Sequence, residues 1–600
     1  MASTASLKNT PPSQYRLLGL VGQGQFGQVY CGLHRKTGQL VALKNVSRNR
    51  LPTRRFLREL RFLLSLSHPH IVNCYAIEQS DTGRKLVLDY CEAGTLRSLL
   101  EQETQLTLAE ILTLITEVLT ALNHAHNRHI VHCDIKPENI LLSLTADSWQ
   151  AKVSDFGIAR LSQELKGAYT GATGSPAYMA PERFYHQYAE ASDLYAVGVM
   201  LYELLLGDRP FTGNHQQLMI AHLNYPITLP STLPQGLQLL LSKSLEKLMA
   251  RRFRSATAMQ AAVCALQQTL TVEELQQRFP KPIFADALGL FQPRPHAAIA
   301  LPANCSAHCS ALGILAGTNE TPSLLLAAIE HTVYGWSLTA AGIWQTPSPS
   351  QTWHFDAAVQ QLVNGQESAI AVTDTTLYRL PSGDYPAPLA TFASPICPVA
   401  GTHRWLIVQD TFTRDQFWLV DRKGQVPRTP RLLKIPPLHG IWHSLSLSDR
   451  HWLIADVTQQ TTQLHILTRW GTSLARLSLQ TPLHHLAPSQ TPHQFLACGG
   501  THQQDLLVIQ LKPFRVMRCR LDIVPTWLGE LVVGYAGIST NGQLRIVNFQ
   551  GHSIGQVDNL PIPMAVAFSP PHHIWLATNQ DDAPRLHCID IRDLALDIVF

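Results

Sequence analysis

Charge is scarce in this chain. Asp, Glu, Lys and Arg make up 15% of its 600 residues, against the quarter or so usual in globular proteins. The 47 basic and 43 acidic residues leave a formal net charge of +4. That is too slight to make nucleic acid or an anionic membrane an expected main partner. Long apolar runs are also missing, and none reaches the ~20 residues needed to cross a bilayer. The stretch Val197–Leu206 is apolar but holds Tyr202 and Glu203, and it reads as a buried helix. Met1 to Tyr15 is polar and has no apolar core, so no signal peptide is expected. Cysteine is sparse: 11 residues, with Cys305 and Cys309 as the only close pair, around His308. No second pair completes four zinc ligands. Ordinary reduced thiols are the expectation, which suits a cytoplasmic protein.

What is present is globular. Hydrophobic residues make up 45% of the chain, and much of its polarity comes from Gln, Ser, Thr and His. At ~100–200 residues per domain the length allows about two to four domains. The pattern changes near residue 270. Before it, apolar residues recur at helical spacing between strand-like runs. Leu108, Leu112, Ile115, Leu119 and Leu122 share one face of a helix over Leu108–His126, and Thr257–Leu270 is a second helix. Beyond about 295, short alternating strands take over. The intervening Pro280, Pro282, Pro293 and Pro295 mark a linker, since proline stiffens the chain and removes donors. Whether Val272–Arg278 still packs on the first domain is left open. The expected layout is a flexible N-terminus over 1–14, a first domain over 15–270, a linker over 271–296 and a second domain over 297–600.

Leu20-Val21-Gly22-Gln23-Gly24-Gln25-Phe26-Gly27-Gln28-Val29 joins a strand over Tyr15–Leu20 to a returning strand over Val29–Leu33. Three glycines let backbone N–H groups pass close over phosphates. A dinucleotide site would need a helix next, with an acid about 20 residues on. Here a turn at Thr37-Gly38 leads instead to a strand, Val41-Ala42-Leu43-Lys44. Lysine in such an apolar run needs an anionic partner. Glu59, on a helical face with Phe56, Leu60, Leu63 and Leu64, is one candidate.

The strongest motif is His132-Cys133-Asp134-Ile135-Lys136-Pro137-Glu138-Asn139, followed by a short strand Ile140–Leu142, by Asp155-Phe156-Gly157 and by Ala180-Pro181-Glu182. With these landmarks in order over Tyr15–Gln268, the chain resembles the Hanks-type (eukaryotic-like) protein kinases. Gly157-Ile158-Ala159-Arg160 and Tyr178-Met179-Ala180-Pro181-Glu182 resemble the bacterial Ser/Thr members.

The resemblance implies an α+β bilobal kinase fold using ATP and Mg²⁺. Lys44 would hold ATP phosphates and Glu59 would hold Lys44. Asp134 would orient the acceptor hydroxyl and take its proton. Lys136 would neutralise charge on the moving phosphoryl group, and a Lys at this point resembles Ser/Thr rather than Tyr kinases. Asn139 and Asp155 would hold the metal, which prefers hard oxygen ligands. In the segment Leu86–Glu92, Leu88 would back the adenine pocket, and backbone groups of Asp89 and Cys91 would bond the adenine edge. Val29, Ala42 and Leu141 would sandwich the ring, although core packing accounts for each equally well. Asp193 resembles the family's aspartate beneath the catalytic loop, and Arg252 is expected to pair with Glu182.

One departure stands out. Cys133 occupies a position where many members have Arg, which meets an activation-loop phosphate. Cysteine cannot form that charge-assisted pair. Phosphorylation at Tyr169, Thr170 or Thr173 is therefore expected to matter less than usual, or to have no consequence. Ser175 is expected near the substrate hydroxyl.

From about 297 onward, apolar strands are expected at Leu324–Ile329, Ala369–Thr373, Trp405–Gln409, Trp452–Asp456, Phe495–Gly499, Glu530–Gly534 and Ile574–Thr578. Each has a partner strand shortly after it. A period of ~40 residues suits four-stranded blades, and about seven repeats imply an all-β propeller. The usual blade dipeptides are absent, and paired β-sandwiches are the alternative. The histidines at His484-His485 and His572-His573 read as loop residues without metal spacing. Fold analogy gives this half a protein-interaction or sensing role. The functional expectation is a serine/threonine kinase acting on proteins. The alternatives are a pseudokinase that binds nucleotide without transfer, and a chain whose main biology lies in its second half.

Overall fold

The computed structural model describes residues 13–24, 27–46, 64–80, 83–102, 105–156, 175–280, 296–300, 309–315, 323–339, 348–363, 369–380, 386–401, 404–413, 416–422, 429–448, 450–569, 572–580 and 583–591. The chain forms two compact units, Met1–Ala285 with Lys512–Val516, and Asp286–Leu511 with Met517–Phe600.

The first unit begins with a five-stranded antiparallel sheet. Its strands are β1 (Tyr15–Gly24), β2 (Gly27–His34), β3 (Leu40–Val46), β4 (Cys74–Ser80) and β5 (Gly83–Asp89), in the order β1-β2-β3-β5-β4. Val41, Leu43 and Val87 are buried together on it, with Tyr15 and Tyr30 packed against them. Helices follow. Leu108–His126 is helical as its apolar spacing predicts. It starts at a capping box in which the Thr107 hydroxyl accepts from Glu110 N and the Glu110 carboxylate accepts from Thr107 N. The helix is long and apolar enough to span a membrane by composition alone, but twelve of its residues are buried in the unit, so it is a core helix.

The apolar run at Val197–Leu206 lies inside a longer helix, Glu190–Leu206. It ends at Gly207, whose φ of 84° suits a residue without Cβ. The helix expected at Thr257–Leu270 spans Ala256–Thr269, where the Ser255 hydroxyl caps Ala258 N. Residues 271–279 stay with this unit. Val272–Gln276 forms a short helix, and Arg278–Phe279 pairs antiparallel with Leu106–Thr107. Phe279 is buried there.

The second unit contains seven four-stranded sheets in which each described strand pair is antiparallel. In the first six, the strands lie in chain order. The seventh is completed from the other end of the unit: His296–Ala300 pairs with Ala583–Asp590. In six of the seven sheets both inner strands were legible as apolar runs, because both of their faces are covered. Leu324–Ile329, for example, is buried at all six positions. The expected strand Glu530–Gly534 needs correction. It straddles the turn between Pro525–Leu531 and Gly534–Ser539. Val532 in that turn is 50% exposed and Gly534 has φ 150°, so the apolar run there does not mark one strand.

Buried clusters join consecutive sheets. Leu326 and Trp353 of the first sheet meet Ala369 and Ala371 of the second. Ile370 and Val372 meet Leu406 and Val408 of the third, and Phe417 meets Trp452 and Ile454 of the fourth. Leu496 and Leu506 of the fifth meet Leu528 and Val547 of the sixth. Ile538 and Ile546 meet Ile574 and Leu576 of the seventh. Trp575 and Ala577 of the seventh pack with Leu325 and Trp336 of the first. The fourth and fifth sheets touch through Ile441–Ser448 and Leu483–Pro488.

The histidine expectation also changes. His573 is buried, with Nε2 3.4 Å from Asp590 Oδ2. His484 and His485 lie at a bulge within a strand. His485 and His443 line a cavity of about 1450 Å³ with Trp442, Trp527 and Phe568. Burial lowers the pKa of His443 and His484, aided in each case by the neighbouring His485.

Candidate active site

The glycine segment forms the tip of the β1–β2 hairpin. Gly22 faces Val29, Gln23 faces Gln28 and Gly24 faces Gly27. Gly27 has φ 134°, and a Cβ there would lie 2.3 Å from Asn45 O, so no other residue fits. Gln25 and Phe26 lie outside the described residues. Leu20 is exposed, and Val21 also belongs to β1.

On β3, Ala42 faces Leu88 and Lys44 faces Leu86. Lys44 is buried, and its ammonium pairs with Asp155 Oδ1. Glu59 lies outside the described residues. Burial pushes the Asp155 pKa up, but the Lys44 charge and hydrogen bond more than offset it, and the carboxyl is held below its ordinary range. Asp155 is thus an anion, pre-organised beside a cation.

The loop carrying Asp134 is built on one buried carboxylate. Asp193 sits in the first turn of the Glu190–Leu206 helix. Its Oδ1 accepts from Cys133 N at 2.8 Å, and its Oδ2 accepts from His132 N and His126 Nε2, both at 2.9 Å. Burial raises the Asp193 pKa, yet His126 and these donors bring it below the ordinary value. The bonds hold Cys133 in left-handed backbone, φ 68°, a conformation that costs about 1–3 kcal/mol outside glycine.

His132 adds a second brace. Its Nδ1 accepts from Asp134 N at 3.2 Å, so Nε2 is the donor to Ser154 O at 2.8 Å. Its ring meets Phe156 edge-on at 4.7 Å. One imidazole therefore ties the Asp134 loop to the Asp155 segment.

Three groups converge on the Asp134 carboxylate. Asn139 Nδ2 donates to its Oδ2 at 3.1 Å and to its backbone O at 2.7 Å. Lys136 Nζ lies 2.8 Å from Oδ2. Ser175 N donates to Oδ1 at 3.3 Å. With Nδ2 engaged, the Asn139 amide oxygen is the atom left for a ligand. Ser154 fixes this residue by donating from N and Oγ to Asn139 O at 2.8 and 2.9 Å. Tyr169, Thr170 and Thr173 lie outside the described residues, as does Gly157.

At the hinge, the Asp89 side chain accepts from Asn73 N at 3.1 Å and Lys152 Nζ at 2.8 Å, and also binds the Tyr75 hydroxyl. These bonds anchor the start of the Asp89–Cys91 segment, whose Cys91 is buried. Leu141 lies on Ile140–Leu144 and bridges to Thr95. Val29 and Leu88 are half-buried, and Ala42 is buried.

Sequence reading missed a charged cluster beside this site. Arg97 Nε lies 2.9 Å from Glu138 Oε1, and its Nη1 lies 3.0 Å from Glu203 Oε1. The Tyr178 hydroxyl binds both Arg97 and Glu203. The signal was available: Glu203 sits within an apolar helix and requires a cationic partner.

Residues 15–263 match the family described as protein kinase domain. Human serine/threonine-protein kinase D2 is 38% identical over 243 residues, covering 39% of this chain and 27% of that protein. The probable serine/threonine-protein kinase PknB of Lactococcus lactis is 32% identical over 263 residues, 42% of this chain and 41% of that protein. Arabidopsis thaliana serine/threonine-protein kinase RUNKEL is 35% identical over 223 residues, 36% of this chain and 16% of that protein. The chain thus spans well under half the length of each of these relatives. Its first unit thus carries a match to the protein kinase domain and is similar to serine/threonine kinases that include a bacterial PknB.

Proposed function

We propose that this chain transfers the γ-phosphate of ATP to Ser or Thr hydroxyls of protein substrates. The observation that carries the reading is the convergence of Lys44 on Asp155, and of Asn139 and Lys136 on Asp134. The donor set fits a magnesium ion: the Asp155 carboxylate and the Asn139 amide oxygen are hard oxygen ligands, which that metal prefers. When bound, the metal would supply charge neutralisation at the phosphate oxygens.

Within the chain, Asp134 orients the acceptor hydroxyl and accepts its proton. Asn139 and Lys136 hold that carboxylate, and Lys136 offsets negative charge at the transferred group. Lys44 and the backbone of Gly22, Gly24 and Gly27 position the phosphates. Leu88, Asp89 and Cys91 line the purine side with Val29, Ala42 and Leu141. Phosphoryl transfer needs positioning and electrostatics more than covalent chemistry, and these side chains provide both.

Labelled ATP, Mg²⁺ and a generic protein substrate test the reading. Label should pass to Ser and Thr, and Asp134→Asn should lower the rate by roughly 10²–10⁴-fold. Nucleotide binding without transfer would establish the pseudokinase instead.

The seven sheets support a propeller of seven blades. Each sheet packs on the next, the seventh on the first, and a strand from the start of the region completes the last blade. Catalytic domain 15–270 followed by a partner-binding region 297–600 is the corresponding layout. Free thiols at all ten described cysteines suit a reducing compartment such as the cytoplasm.

A further inference from the structure

The slight net charge of the chain hides a local concentration. Between Arg404 and Arg476 there are ten Lys and Arg against five Asp and no Glu. Part of this charge is stacked on two tryptophans at one edge of the third and fourth sheets. Trp405 and Trp470 lie 6.0 Å apart between ring centroids. Arg404 lies 5.1 Å from the Trp405 ring, and Arg431 4.7 Å from the Trp470 ring. Arg469 reaches both, at 5.5 and 4.8 Å.

The platform is held from below. The Thr468 hydroxyl accepts from Trp470 N and Thr472 N, and Gly471, φ 84°, closes the turn. Arg450 joins the edge, its carbonyl accepting from Arg469 N at 2.8 Å. Arg404 is 54% exposed and Trp470 41% exposed, so the patch faces solvent. Asp421 lies 3.5 Å from Arg404, whereas no described carboxylate pairs with Arg431, Arg450 or Arg469.

Stacking on indole fixes a guanidinium plane and leaves its N–H edge pointing away. Such an edge matches a phosphate bidentately. The same arrangement disfavours single-stranded nucleic acid, which needs open aromatic faces for its bases. Here each indole already carries two guanidinium groups.

We infer that the Arg404–Arg431–Arg469 platform on Trp405 and Trp470 binds phosphorylated Ser or Thr segments of proteins. A phosphoryl group brings a charge of about −2 and three acceptor oxygens. Binding phosphorylated segments would keep a modified substrate on the chain for further transfer. That consequence, though not the binding itself, rests on the kinase reading.

The test uses the full chain carrying Asp134→Asn, so that self-phosphorylation cannot fill the site. A fluorescent degenerate phosphothreonine peptide library, its unphosphorylated counterpart, a single-stranded oligonucleotide and phosphoinositide vesicles are titrated in parallel. The phosphopeptides should bind at least tenfold tighter than the other three. Arg431→Ala with Arg469→Ala should remove that preference with an unchanged melting temperature. In the otherwise unaltered chain, the same pair should leave transfer to a short peptide intact. Equal binding of both peptide libraries, tighter binding of oligonucleotide or vesicles, or a preference that survives the double substitution overturns the assignment. Because the peptides are synthetic and the chain inactive, absence of kinase activity would not alter the binding result.

Discussion

Arg252 and Glu182 are joined by two parallel hydrogen bonds, Nη1 to Oε1 and Nη2 to Oε2, each 2.8 Å long. Both side chains are buried, and Ser192 Oγ donates to the same carboxylate at 2.7 Å. The remaining guanidinium donors reach Glu246 O, Lys247 O and Ala191 O. The pair therefore links the Ala180-Pro181-Glu182 segment, the Glu190–Leu206 helix and the segment before residue 253.

Breaking this pair from one side strands a buried charge. Arg252→Ala should destabilise the first unit by about 3–5 kcal/mol, read as a shift in the denaturant midpoint with an unchanged slope. Arg252→Met with Glu182→Leu should recover much of the loss. If Arg252→Ala alone unfolds at the wild-type midpoint, the pair is not a structural tie.

His222 sets part of the acid limit. It is fully buried, with Nδ1 2.9 Å from the Tyr195 hydroxyl. Burial first, and the Lys247 charge second, lower its pKa from 6.5 to about 4. A lowered folded pKa means that the unfolded chain binds the proton first, so stability should fall as pH drops from about 6.5 towards 4. The slope integrates to roughly 3 kcal/mol. The depressed carboxyls of Glu182 and Asp193 act in the same direction, since their contribution is lost as pH falls through their folded pKa values. Urea midpoints measured across that range check it, and His222→Phe should flatten the upper part of the limb.

Arg97 occupies two carboxylates beside the proposed substrate site. Arg97→Ala should leave Glu138 and Glu203 uncompensated and raise kcat/KM for peptides with a basic residue before the acceptor by several-fold, relative to neutral peptides. Each well-placed charge-assisted hydrogen bond is worth about 1.5–3 kcal/mol. A peptide-array comparison with the unaltered chain reads this directly. An unchanged preference would mean that these carboxylates do not face substrate.

Removing residues 296–300 should expose the edge of Ala583–Asp590, with which they pair. An unpaired edge strand invites intermolecular pairing. The expected result is a lower unfolding temperature for the second unit and aggregation at micromolar concentration, seen by light scattering. Restoring the segment with a different but strand-forming sequence should rescue it.

The sequence was most readable where chemistry and pattern coincide. Asp134, Lys136, Asn139 and Asp155 were singled out by the resemblance of their motifs to the Hanks-type kinases, and Asn139 and Lys136 do meet on Asp134. The Leu108–His126 helix was found to the residue because Leu108, Leu112, Ile115, Leu119 and Leu122 form a regular apolar stripe. The outer strands of the seven sheets were not legible. Arg431–Leu433 has only three residues, two of them exposed, so no alternation marks it. The turn at Val532 was missed for the opposite reason, since apolar residues run through it without a break. A buried lysine announces that it wants an anion but not from where in the chain: Lys44 pairs with Asp155, 111 positions away, while Glu59 lies outside the described residues.

The pairing of His296 with Cys588 has a consequence for synthesis. The two residues are 292 positions apart, so one wall of the seventh sheet leaves the ribosome long before the strand it pairs with. Loop closure of that span is slow, and until it happens two strand edges stand open to neighbours. The first unit emerges before this span, so the second unit is where nascent molecules most need protection by chaperones.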